Sequence, residues 1–72
     1  MRPNAILIVS NILSNLNETY NTKFQVVHRD KQDDYVINIT GQPARILHRI
    51  LSCLDSNTLS FDLEGNDTFV IF

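Results

Sequence analysis

The segment from Gly41 to Asp55 leaves this chain the least freedom. Ile46, Leu47, Ile50, Leu51 and Leu54 recur at three- and four-residue spacing, which draws one apolar stripe along a helix, while Arg45, His48, Arg49 and Ser52 fall on the opposite side. Pro43 suits the first helical position, where its missing N–H would find no partner anyway. Asp55, Ser56 and Asn57 carry side chains that compete for backbone hydrogen bonds and favour turns. One face of this helix must be buried, so the rest of the chain has to supply what it packs against.

Residues 3–16 repeat the same logic. Pro3 stands near the start, and Ala5, Ile8, Val9, Ile12, Leu13 and Leu16 share one side. Ile6 and Leu7 widen the apolar arc, and three of the residues in this stretch are β-branched, so a strand over 5–9 is the alternative to a helix. Asn15, Asn17, Asn21 and Thr22 then read as a loop.

Two hairpins follow the two helices. Lys23–Asp30 and Tyr35–Thr40 are short and rich in β-branched and aromatic residues, with the polar run Lys31-Gln32-Asp33-Asp34 between them. A four-residue loop pairs Asp30 with Tyr35 and sets Phe24, Val26, His28, Tyr35, Ile37 and Ile39 on one face. Gln25, Val27, Arg29, Val36, Asn38 and Thr40 share the other. In the second hairpin Leu59, Phe61 and Leu63 alternate with Ser60, Asp62 and Glu64. A tight two-residue turn at Gly65-Asn66 sets Leu63 opposite Thr68, Phe61 opposite Val70 and Leu59 opposite Phe72 as the core face. That register leaves Phe69 and Ile71 outside, beside Ser60 and Asp62, which is the one local conflict in the pattern.

The expected architecture is α+β in the order α-β-β-α-β-β, two helices packed on one face of a four-stranded antiparallel sheet. It forms a single domain over residues 1–72, made of helix-hairpin units at 3–40 and 41–72. A short internal match supports the doubling: Ile12-Leu13-Ser14 with Leu16 recurs as Ile50-Leu51-Ser52 with Leu54. At 72 residues a single apolar core supplies only about 3–5 kcal/mol. With Cys53 the only cysteine, no internal disulfide can add to it.

No pattern names a reaction. His28, His48 and Cys53 could furnish metal ligands, but His48 and Cys53 stand about 140° apart around a helix and make no closed set. His28 is expected to be an inward, hydrogen-bonded strand residue and Cys53 a small buried hydrophobe. Asp30, Asp33 and Asp34 lack calcium-loop spacing and enclose Lys31, which suits a solvated turn. No nucleophile elbow, phosphate loop or zinc-protease signature occurs. The expectation is no catalytic residue, no metal and no cofactor. Sequons at Asn17, Asn38 and Asn66 have meaning only in a secreted chain, and no signal peptide or membrane-spanning run is recognisable, so a cytoplasmic location is expected.

The net charge of −2 is neither a basic footprint for nucleic acid nor an acidic mimic of it. All six Lys and Arg lie at or before Arg49, and only acidic residues follow, a distribution that more often serves solubility than steering. What remains points to association: a small unstapled domain with an apolar outer strand face at Phe69 and Ile71, ending at Phe72 in a strand expected at a sheet edge. The leading expectation is a non-catalytic protein–protein interaction module that binds another protein, itself as a homodimer, or both, through Phe69, Ile71, Ser60 and Asp62. Small size, a Met-initiated chain and abundant Asn and Ile suggest an inhibitor or adaptor of the kind phages and mobile elements encode, acting on a host protein. The alternative is weak nucleic-acid binding through Arg45, His48 and Arg49, steeply sensitive to salt.

Overall fold

The computed structural model describes residues 4–72, so Pro3 and its expected place in the first helical turn lie outside the described residues. The chain folds as α1 (Ala5–Tyr20), β1 (Val26–Arg29), β2 (Asp34–Asn38), α2 (Ala44–Ser56), β3 (Phe61–Glu64) and β4 (Thr68–Ile71). All strands pair antiparallel in the order β1-β2-β4-β3. The architecture is α+β, as the periodicities require. Residues 5–9 are helical, and Ala5, Val9, Leu13 and Leu16 form the buried stripe of α1.

The helix ends show how the sequence sets the boundaries. α1 runs a turn beyond Leu16 and stops where Asn21 turns left-handed at φ 54°, with the Thr22 N–H bonding the Asn17 carbonyl at 3.1 Å. α2 ends the same way: Thr58 is left-handed at φ 54°, and the Leu59 N–H bonds the Leu54 carbonyl at 3.1 Å. Both are Schellman closures, which satisfy carbonyls the last turn would otherwise leave open. Pro43 sits one position earlier than expected. It flanks α2 in an extended conformation, and its carbonyl accepts the first helical bond from the Ile46 N–H at 3.0 Å.

Both hairpin registers differ from the sequence expectation. In the first the four-residue loop is Asp30–Asp33 rather than 31–34, so His28 lies opposite Tyr35 and Arg29 opposite Asp34. This two-residue shift keeps every side chain on its expected face and puts opposite charges across from each other. In the second hairpin the loop holds three residues, Gly65 to Asp67, and Phe61 pairs with Ile71 and Leu63 with Phe69. Because the side-chain period is two, one extra loop residue turns the whole of β4 over. Phe69 and Ile71, expected outside, are 0% and 1% exposed. Burial of these two side chains, each stabilising by about 1.5–3 kcal/mol, outweighs the preference for a two-residue turn. Asp67 is held in the loop by its neighbour: its carbonyl accepts from the Ile39 N–H at 2.7 Å and its carboxylate from Thr40 Oγ1 at 3.1 Å.

One core joins the two halves. Val9, Leu13 and Leu16 of α1 and Ile46, Ile50 and Leu54 of α2 cluster with Ile37, Phe69 and Ile71 of the central strands, and Phe61 meets Phe69 at 6.1 Å between ring centroids. The two helix-hairpin units contribute β2 and β4 side by side at the centre and β1 and β3 as edges. The short sequence repeat does not carry over residue by residue: Leu13 is buried while its counterpart Leu51 is exposed. The doubling lives in the architecture, and the triplet match reflects two helices built from the same apolar residues.

Candidate interaction surfaces

Period two assigns the side of the sheet turned away from the core. Val27 and Arg29 of β1, Asp34, Val36 and Asn38 of β2, Thr68 and Val70 of β4, and Asp62 and Glu64 of β3 lie there by register. Ser60 and Phe72 extend the β3–β4 ladder on this side, joined by the Phe72 N–H to the Ser60 carbonyl at 3.1 Å. Val27 is 53% and Phe72 50% exposed, whereas Val70 is 5% exposed although it lies outside the core cluster.

Charged side chains explain that burial. Arg29 binds Asp34 through two bonds, Nε to Oδ1 and Nη2 to Oδ2, each 2.7 Å, and its Nη2 lies 3.8 Å from Glu64 Oε1. β1 and β3 are opposite edges, three strand spacings or about 14 Å apart, so the Arg29–Glu64 pair must reach across Val36 and Val70. The aliphatic stem of the arginine covers apolar surface while its fork serves the carboxylates. The Arg29 guanidinium holds the Asp34 carboxyl below its ordinary value, against the opposing effect of desolvation.

At the end of the first hairpin His28 is exposed rather than inward. Its Nδ1 lies 2.9 Å from Asp30 Oδ1 and its Nε2 3.1 Å from Asp33 Oδ1, and its ring tilts against Tyr35 at 4.9 Å between centroids. Carboxylates only accept, so both ring nitrogens must donate and the imidazolium is the species that fits. The bond to Asp33, and then those to Asp30, raise the His28 pKa. The three carboxylates at this end thus have basic partners on their own hairpin: Asp30 and Asp33 of the loop hold His28, and Asp34 of β2 holds Arg29. Among the described residues no three His, Cys, Asp or Glu side chains converge on a point where a metal ion could sit.

The structure splits the residues expected to make contacts. Ser60 and Asp62 are exposed on the uncovered face, but Phe69 and Ile71 belong to the core and cannot serve a partner. Val27 and Val36 were legible as a shared face; Val70 and Phe72 were missed because the run Thr68 to Phe72 alternates too little to fix its own register. The neighbouring charges Arg29 and Asp34, with an aspartate available for a left-handed turn at Asp33 (φ 52°), are the signal that could have set the first hairpin.

Arg45, His48 and Arg49 are all exposed along α2, and none joins an ion pair among the described residues. Cys53 is half-buried in a cleft of about 170 Å³ between the helices, beside Arg49 and Tyr20. Of the sequon asparagines, Asn17 spends its amide on the fold: Nδ2 donates to the Phe24 carbonyl at 2.9 Å, and Oδ1 accepts from the Phe24 N–H at 2.8 Å. No helix among the described residues is long and apolar enough to cross a membrane. The chain matches no protein-family model, no curated protein and no solved structure.

Proposed function

We propose that the protein is a non-catalytic interaction module that works through the uncovered sheet face, with a second copy of itself as the first partner. The observation that carries this reading is the apolar pair Val27 and Phe72, half-exposed on a sheet face outside the helix-packed core. Exposed apolar area of this kind is stabilised by a partner. A two-fold axis along the strands sets β1 of one copy over β3 of the other and stacks the two uncovered faces, with the Arg29–Asp34 pair staying within each copy. A cytoplasmic inhibitor or adaptor that docks on a host protein is the functional form we infer for a domain of this size.

Sedimentation velocity across a wide concentration range tests it. The parent is expected to dimerise, and the double variant Val27→Ser, Phe72→Ser to remain monomeric with its circular dichroism unchanged. A parent that stays monomeric throughout removes self-association. The runner-up, nucleic-acid binding by the exposed Arg45, His48 and Arg49 face, is supported by the absence of ion pairs at those residues among the described ones. It predicts salt-sensitive binding of a labelled oligonucleotide that Arg45→Glu with Arg49→Glu abolishes while oligomeric state is preserved.

A further inference from the structure

The geometry points to a second contact site: the outer edge of β1 takes an extended, uncharged peptide segment as an added strand, in the groove between that edge and α1. The backbone orientation follows from one bond. The Ile39 N–H reaches the Asp67 carbonyl on the β4 side, so Ile39, Ile37 and Tyr35 turn their peptide groups toward β4 and Asn38, Val36 and Asp34 turn theirs toward β1. Their partners Val27 and Arg29 answer them, which leaves Phe24, Val26 and His28 with N–H and C=O directed away from the sheet.

The first of these is already occupied in an informative way. The Asn17 carboxamide donates to the Phe24 carbonyl and accepts from its N–H, which is the pairing a peptide group of a next strand would make. At Val26 and His28 no backbone partner takes its place among the described residues. A groove of about 390 Å³ runs beside this edge, lined by Ser10, Leu13, Ser14 and Asn17 of α1 and by Phe24, Gln25 and Val26. None of these side chains is charged. Ser10 and Ser14 are short and exposed, one helical turn apart, so they leave room above Leu13 for alternate side chains of an incoming strand. Main-chain bonds to the edge supply affinity in such a complex, and small or apolar side chains entering the groove supply selectivity. The site is separate from the uncovered sheet face.

The test pans the full chain against a displayed library of random linear peptides, resynthesises the enriched segments and measures each by fluorescence anisotropy. Enriched segments are expected to be uncharged and to lose about tenfold or more in affinity for Ser14→Phe, which fills the groove at an exposed helix position. They are expected to bind Val27→Ser, Phe72→Ser as tightly as the parent, which separates this site from the dimer face. Methylating backbone nitrogens of alternate residues is expected to abolish binding in one alternation and spare it in the other. Should Ser14→Phe unfold, Ser10→Tyr takes its place. No enriched segment, affinity retained by the filled groove, or a dimer that Ser14→Phe dissociates would each overturn the proposal, the last by assigning the edge to a second copy.

Discussion

The His28 ring is gripped on both nitrogens by Asp33 and Asp30, and that grip exists only for the protonated imidazole. Its folded pKa is raised above 6.5, so the stabilisation is complete below the unfolded value and is lost as pH rises through the folded one. Asp33→Asn is expected to lower the His28 pKa in a proton NMR titration and to flatten the pH dependence of stability above 6.5; asparagine also tolerates the left-handed backbone there, so the loop survives the change. An unchanged titration would show that Asp33 does not hold the ring. The same backbone region costs more at Thr58, a β-branched residue at φ 54° closing α2. Thr58→Gly is expected to stabilise the protein by about 1 kcal/mol, a rise in Tm of roughly 4–8 °C, whereas Thr58→Ala keeps the Cβ and most of the strain. Neither residue was readable beforehand. A sequence shows that His28 lies in a strand, but which carboxylates fold back on it depends on where the loop closes.

Element by element, legibility follows the strength of the periodic signal. α2 needed only its stripe, and its observed span of Ala44–Ser56 departs by a residue or two from the expectation. The faces of the first hairpin were legible because Val26, Ile37 and Tyr35 separate cleanly from Arg29, Val36 and Asn38. The second hairpin was legible in β3 and opaque in β4, where Phe69, Val70 and Ile71 are all buried on one side or the other. Loop length decides there, and Asp67 is the residue that makes the loop three long. Deleting Asp67 leaves a two-residue Gly65-Asn66 turn that still sets Glu64 opposite Thr68 and keeps Phe69 and Ile71 inward, so the variant is expected to stay folded by circular dichroism and to lose about 1–3 kcal/mol with the Asp67 bonds to Ile39 and Thr40. A variant that unfolds would show that the third loop residue is itself required for the register.

At the scale of the molecule, the α+β layering was legible because four short strands and two one-sided helices have few ways to bury their apolar faces together. The candidate surface was legible only in part. Ser60 and Asp62 kept their place, and Phe69 and Ile71 lost theirs to a one-residue difference in a turn, which local patterns do not encode. The strand order β1-β2-β4-β3 carries a kinetic consequence. Each hairpin closes a local ladder, but the central ladder joins Asn38 to Thr68 and Tyr35 to Ile71, partners thirty or more positions apart in the chain. Central in space and last in chain order, β4 cannot be docked until every other element has been synthesised. Until it arrives, the β2 edge and the apolar side chains of Ile37 and α1 stay open to solvent. The slow step in folding is therefore expected to be the pairing of β2 with β4, and the interval before it is when this chain is expected to be most exposed to aggregation.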